Sequence, residues 1–490
     1  MRVARREGKA MPSAGEGRQA PFARVAPLIA AALVIGVVGG FALAATLTVT
    51  RMLGVTGLWW AAAAQAHGHL QLYGWAGVFV LGVALHFVPR LRGAPLVGAR
   101  WIPAILWAQV GSLALRAVGQ TLLAGTGSAL WDAALLLSGA LEVGALGGAA
   151  GLLVATLRRG PALAARTAMH AVLPLIGLAL AALVIASLVN LINVARLTGS
   201  ATGLIPGGMD GLNVTLGLLG FLVPVALAMS AQALPMYAGL SPFPRRLLWP
   251  LAGIYGAGLI LLCVSEGATG ALAPGTAARL GGAGMLLLGA ALLVFVGVFV
   301  RMMALRGRLP KKVAELAPSP GAAAATYHRH VAAQRGAYGP FVALVASAYL
   351  WALLGGAILV VDGAALLAAG VAPLPLDALR HSLALGFIAL LISGIAPRML
   401  PGFSGGAIVS PRYVTATLWL GNIAAILRVG SLLAQPLLGG LGSAGQTLES
   451  AAFGVSGPVG LALAACLLIN LWPAVLPGNP RGGERGSGRG

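Results

Sequence analysis

Seven histidines are the residues of this 490-residue chain whose type and spacing suggest chemistry. His67 and His69 stand in the segment HGHLQLYGW, and His381 opens the apolar segment HSLALGFIALLISGIAPRMLPG. Two neutral imidazoles on facing helices are the usual axial pair of a bis-histidine haem, and helical bundles hold such groups between their helices. The histidines therefore indicate a haem or metal site if the fold brings two of them together. The alternative is that each lies at a helix end and is solvated there.

The spacing of His67 and His69 limits what this pair can do on a helix. Each residue advances by about 100°, so these two side chains point about 200° apart. His69 shares a helix face with Tyr73, whereas His67 shares one with Gln71. At most one of the two histidines is therefore expected to share a site with His381.

The composition requires that membrane-spanning helices position these residues. Hydrophobic residues make up 59% of the chain, charged residues make up 9%, and the mean hydropathy is +0.92. Apolar runs of about 20 residues recur, and each is long enough to cross a bilayer as a helix. The runs are continuous and do not alternate with a period of two, which favours helices over a barrel. We therefore predict an all-α polytopic transmembrane bundle and exclude a soluble globular protein.

About twelve spans are predicted, and a basic cytoplasmic loop at 302–338 separates eight spans in 25–301 from four in 339–475. A basic N-terminal tail, 1–24, precedes them, and a disordered C-terminal tail, 476–490, follows. The first apolar run is expected to be a retained anchor. The predicted spans are 25–48, 67–88, 101–124, 131–157, 169–193, 211–232, 247–265, 279–300, 340–361, 380–400, 412–430 and 452–473.

The lysine and arginine residues predict the orientation, because cytoplasmic loops carry most of them. With the N-terminus inside, 26 of these residues fall in inside segments and 5 in outside segments. Both termini are therefore predicted to be cytoplasmic, in what we expect to be a bacterial inner membrane. The net charge of +21 is then an orientation signal that anionic lipid reinforces, and nucleic acid is not an expected partner.

This orientation places the histidines at two depths. The second and tenth spans both run from outside to inside, so His67, His69 and His381 are predicted near the outer surface. Asn190 and Asn193 end the fifth span at the same depth. The inner end of the second span lies about 26 Å from His69, too far to join a site there. The histidines predicted on the inner side are His86, His170, His328 and His330.

Other residues of these spans could support a bound group. Arg116 lies within the third span and needs an anionic partner, for which a haem propionate is one candidate; the alternative is that it snorkels to the outer interface. Arg428, which ends the eleventh span, is a second cofactor-binding candidate. Glu142, within the fourth span, could pair with Arg116, relay a proton or stay protonated. Gly74 and Gly386 each follow a histidine by five residues and are predicted to leave room for a flat macrocycle.

Four segments of the chain carry a family resemblance. HGHLQLYGW resembles the H-x-H-x-x-x-x-G segment of the NnrS family, and HSLALGFIALLISGIAPRMLPGFSG resembles that family's H-A-L-x-x-G…R…G-H-x-G segment. QALPMYAGL and NIAAILRVG resemble its R-x-x-P-x-F and A-x-x-R-V segments. Gln232 and Ser404 depart from the pattern, because the family has arginine and a second histidine there.

NnrS proteins are twelve-span haem- and copper-containing membrane proteins linked to nitric oxide metabolism and tolerance. The resemblance implies that His69 and His381 are haem ligands, with His67 in reserve, and it allows for copper. It also implies that the protein interacts with nitric oxide or with a redox partner, in addition to membrane lipid. The implied role is nitrosative-stress tolerance or electron transfer near the outer face.

Two other functions are open. HGHLQLYGW also resembles the second helix of haem–copper oxidase subunit I, but the predicted sixth and seventh spans lack the histidines of a complete oxidase active site. A degenerate subunit of that type would assemble with partners. A cofactor-free secondary transporter or channel would also have about twelve spans, although no paired interrupted helices mark two matching halves.

Overall fold

The computed structural model describes residues 22–200, 202–268, 270–306 and 332–476. In this part of the chain there are twelve long apolar helices and no strand, which confirms the predicted all-α bundle. The predicted tails and the loop at 302–338 fall largely outside the described residues. The helices are α1 (Ala26–Met52), α2 (Leu58–Arg92), α3 (Ala99–Thr126), α4 (Ala129–Leu157), α5 (Thr167–Leu197), α6 (Gly207–Ala238), α7 (Arg245–Gly267), α8 (Pro274–Ala304), α9 (Phe341–Ala369), α10 (Leu376–Ser404), α11 (Pro411–Gly439) and α12 (Gly442–Val475).

The helices are longer than the predicted spans, and this matters most at α2. We predicted that the second span starts at His67, whereas α2 begins at Leu58. The residues between them are apolar or alanine-rich and continue the helix without a break. His67 and His69 therefore lie about two and a half turns inside the helix and not at its end.

Neighbouring helices pack into three groups of four: α11, α12, α1 and α2; α3 to α6; and α7 to α10. The last helix of each group lies innermost. We compared the most apolar 18-residue stretch of each helix. In α2, 89% of the residues in that stretch are buried, and in α6 and α10 the share is 78%, whereas in every other described span it is 56% or less. The second and tenth spans, which carry His67, His69 and His381, are thus both central helices.

Four helices widen locally into π-helix. These stretches are Gly36–Phe41 in α1, Leu70–Ala76 in α2, Leu216–Leu222 in α6 and Ser382–Ala389 in α10. The stretches in α2 and α10 begin directly after His69 and His381. Each stretch contains a glycine at its fifth residue, respectively Gly40, Gly74, Gly220 and Gly386. π-helical turns are rare in proteins, and those that occur often lie at functional sites. Their repetition in four helices therefore indicates a functional site near the centre of the bundle.

Glycine pairs bring α8 and α9 into close contact. A Cβ atom added to Gly282 would lie 2.8 Å from the carbonyl oxygen of Gly363, and one added to Gly289 would lie 2.9 Å from that of Gly356. The two pairs run antiparallel with the same seven-residue spacing. Small residues stabilise membrane helices in this way, because they let the backbones approach and pack.

Substitution of Gly363 by alanine is expected to destabilise the protein. The added methyl group would overlap the backbone of α8, and overpacking of this kind costs about 1–3 kcal/mol. Thermal unfolding in detergent should show the loss as a lower Tm. Gly297→Ala, on α8, is the control, because a Cβ there meets nothing within 4 Å. Equal melting temperatures for the two variants would contradict the close approach.

Candidate functional site

A cavity of about 290 Å³ lies among α1, α2, α6, α10, α11 and α12. Each of the four π-helical stretches contributes to its wall. The apolar part of the wall includes Phe41, Leu72, Trp75, Leu218, Leu222, Leu385, Ile388 and Phe453. The larger polar side chains on the wall are Gln65, His67, Gln71, Asp210, Asp377, Arg380, His381 and Arg428.

His67 and His381 both line this cavity, and each uses Nδ1 for a hydrogen bond to a backbone carbonyl. His67 Nδ1 lies 3.0 Å from the carbonyl oxygen of Gly40, and His381 Nδ1 lies 2.9 Å from that of Asp377. A carbonyl only accepts, so Nδ1 donates in both rings, and in the neutral form of each ring Nε2 then carries the lone pair. Metal-bound histidines are held in this way, with the other ring nitrogen bonded to a carbonyl or carboxylate.

The close approach of α1 to α2 supplies the acceptor for His67. A Cβ atom added to Gly40 would lie 2.9 Å from Cδ of Gln71, so glycine leaves room for this side chain between the two helices. The acceptor for His381 is local, because Asp377 lies one turn earlier in α10. One ring is therefore oriented by a neighbouring helix and the other by its own helix.

Charged side chains surround His381. The Asp377 carboxylate lies 3.1 Å from His381 Nδ1 through Oδ1 and accepts from Arg428 Nη2 at 2.7 Å through Oδ2. The Arg428 guanidinium also lies 3.9 Å from the centre of the Phe453 ring. Arg380 lines the same cavity. The predicted binding residue Arg428 thus lies at the cavity, with two cationic side chains near one histidine.

His69 points away from the cavity, as the helical spacing of the pair predicts. Its side chain is buried, and Nε2 lies 2.7 Å from Oε2 of Glu142. The ring also packs against Tyr73, with 4.7 Å between the ring centres. Of the predicted ligands, His67 and His381 are therefore the two that line one cavity, and His69 lies behind its wall.

Arg116 belongs to the polar network around His69. Its guanidinium donates to Asn190 Oδ1 at 2.8 Å, and Asn190 in turn donates to Glu142 Oε2 at 2.8 Å. Arg116 is 2% exposed, so it does not snorkel to a membrane surface. It does not line the cavity either, so the geometry does not favour it as a propionate partner. Glu142 is linked to it through an amide and not by a direct ion pair.

The same network reaches the cavity through two glutamines that the sequence analysis did not single out. Arg116 Nε donates to Gln120 at 2.8 Å, and Gln120 Nε2 donates to Gln65 Oε1 at 2.9 Å. Gln65 lines the cavity and is also bonded to the backbone of Ile205. The signal that could have found these residues is an amide side chain within an apolar run. Asp377 was missed too, although it stands four residues before His381, a spacing that pairs side chains on a helix.

The prediction for Gly74 and Gly386 is wrong. Neither lines the cavity. A Cβ atom at Gly74 would lie 3.0 Å from Ile35 and 3.2 Å from Leu113, and one at Gly386 would overlap the ring of Trp351. These glycines let neighbouring helices approach the central ones and do not clear a path for a macrocycle.

His86 and His170 do not line the cavity. His86 packs between Phe22 and Phe403, with ring centres 5.1 Å and 4.3 Å away. His170 stacks on Trp249 at 5.2 Å. The loop pair, His328 and His330, lies outside the described residues.

A second, smaller cavity of about 80 Å³ adjoins the first one. Its wall comes from α2, α6 and α10 and is apolar except for Ser230. Leu222 and Ile388 line both cavities. Because its wall is almost wholly apolar, this space suits a small uncharged molecule better than water.

Comparison with protein-family models finds no match, and no curated protein matches the chain. Within the described ranges there is also no group of three or more histidine, cysteine or acidic residues that could hold a metal ion. What the described residues do bring together is His67 and His381, on the wall of one cavity. The resemblance to the NnrS family stays a hypothesis that rests on the four segments quoted above.

Substitution of Arg116 by methionine is expected to destabilise the protein strongly. The change leaves the two buried acceptors of Arg116, Asn190 Oδ1 and Gln120 Oε1, without their donor, and each unsatisfied buried polar group costs about 1–3 kcal/mol. Thermal unfolding in detergent measures the loss. Arg279→Met, at an exposed position of α8, is the matched control. A variant at Arg116 that melts like this control would show that the network contributes little to stability.

Proposed function

We propose that this membrane protein binds haem between α2 and α10, with His67 and His381 as axial ligands. One observation carries the proposal: two imidazoles line a single cavity, and each donates its Nδ1 proton to a backbone carbonyl. Nε2 of each ring is thereby the atom that would bind iron. A bis-histidine haem supplies one-electron transfer when it is bound.

The rest of the cavity also supports haem. Its wall is mostly apolar, as the faces of a macrocycle require, and its cations are concentrated near His381. Arg380 and Arg428 are the side chains that would meet the propionates. Nε and Nη1 of Arg428 are buried and have no hydrogen-bond partner among the described residues, so they can still donate to an anion.

His67 is a better partner for His381 than His69 is. His69 uses Nε2 in its bond to Glu142, whereas His67 uses Nδ1 and keeps Nε2 for the cavity. A ligand role for His69 would require α2 to rotate and would break the buried bond between His69 and Glu142. Such a rotation is costly, because buried polar groups need a hydrogen bond. His67, which the family resemblance implied only as a reserve ligand, is therefore the proposed partner of His381.

The role that the segments suggest is nitric oxide tolerance or electron transfer near the outer face. The adjoining apolar cavity supports the first option, because nitric oxide is small and uncharged. The predicted orientation places the site on the outer side. A complete haem–copper oxidase centre finds no support, since α6 and α7 contain no histidine.

A cofactor-free transporter is the second candidate. The four π-helical stretches at the cavity favour it, because transporters build their sites where central helices are interrupted. In that case Arg380 and Arg428 would bind an anionic substrate. A visible spectrum distinguishes the two candidates.

The protein expressed with ample haem is expected to show a Soret band after purification. His67→Ala and His381→Ala should each abolish the band or convert it to that of a haem with one ligand, because each removes an axial nitrogen. His69→Gln, which can keep a hydrogen bond to Glu142, and the exposed His170→Ala should leave the spectrum unchanged.

Two results would count against the proposal. A purified wild-type protein with no Soret band would rule out haem and favour the transporter. A spectrum that His69→Gln destroys and His67→Ala leaves intact would return the ligand role to His69.

A further inference from the structure

We infer that Asp377 is a positioning residue that sets the electron-donating strength of His381, and that Arg428 opposes it. The inference rests on the proposed haem site and deepens it. It concerns the reduction potential of that site, which the two ligands alone do not determine.

The three side chains form a chain of direct contacts. Asp377 Oδ1 lies 3.1 Å from His381 Nδ1, and Oδ2 lies 2.7 Å from Arg428 Nη2. Each carboxylate oxygen thus has its own partner, one from α10 and one from α11. The carboxylate lies between the proposed ligand and a cation, so its charge acts on both.

The two proposed ligands differ in this respect. His67 donates to the neutral carbonyl of Gly40, whereas His381 Nδ1 donates to a carbonyl and also lies 3.1 Å from a carboxylate oxygen. An anion beside the ring N–H makes the far ring nitrogen more basic. A more basic ligand stabilises ferric over ferrous iron, so Asp377 is expected to lower the reduction potential.

Arg428 acts in the opposite direction. Its charge-assisted bond draws electron density from the Asp377 carboxylate and weakens the pull of that group on His381. The guanidinium also adds a positive charge near the iron, which by itself favours the reduced state. The other charged groups on the cavity wall, Arg380 and Asp210, are unchanged by substitutions at the pair.

Redox titration of the haem-loaded protein tests this inference. Asp377→Asn keeps the size of the side chain and the backbone bond of His381 but removes the charge. At the potential where half of the wild-type haem is reduced, the variant should be mostly reduced. Asp132→Asn, on α4 and away from the cavity, is the control and should titrate like the wild type.

Arg428→Gln provides the second arm and leaves both Asp377 and His381 in place. As a single variant, Arg428→Gln should hold mostly oxidised haem at the potential where half of the wild-type haem is reduced. In the Asp377→Asn background its effect should shrink, because the part that acts through the carboxylate is gone. A double-mutant cycle separates that part from the direct effect of the guanidinium.

The outcomes distinguish this inference from the haem proposal. An Asp377→Asn protein with the wild-type spectrum and the wild-type potential would overturn the inference and leave the haem site standing. If Asp377→Asn fails to hold haem, the Arg428→Gln titration decides, and a potential that rises or stays constant overturns the inference. A wild-type protein without a Soret band would overturn both proposals.

Discussion

A polar side chain inside an apolar helical bundle has little water to bond to, and hydrogen bonds within the protein orient His67, His69 and His381. His67 bonds to α1, His381 to its own first turn and His69 to Glu142 of α4. Each bond fixes one ring nitrogen, because an unpaired buried polar group is costly. The choice of nitrogen then decides the chemistry: the first two rings keep Nε2 free toward one cavity, and His69 does not.

The helix α2 separates two polar environments. One of its faces lines the cavity, and the opposite face joins the network of Glu142, Asn190 and Arg116. Gln65 is the residue of α2 that contacts both, since it lines the cavity and bonds to Gln120 of the network. The stability of the network and the position of His67 are therefore linked through the rotation of this one helix.

The central helices show how small residues and widened turns shape the site. Gly40 lets α1 approach α2 closely enough for its carbonyl to reach His67, and it lies in a π-helical stretch. The π-helical stretch of α10 starts directly after His381. Widened turns redirect the residues that follow them, so the side chains after each histidine line the cavity in a register that a regular α-helix would not produce.

Some of this structure follows from the sequence alone. The length of the apolar runs predicted twelve helices, and the angle of about 200° between residues two apart predicted that His67 and His69 diverge. Both are local properties, so no knowledge of the neighbours is needed. Which of the two histidines faces the cavity depends on the rotation of α2, which follows from its contacts with distant helices, such as the bonds of His67 to Gly40 and of His69 to Glu142. The partner of Arg116 likewise lies 74 residues away at Asn190. Such contacts join distant parts of the chain, and therefore only the tertiary structure decided them.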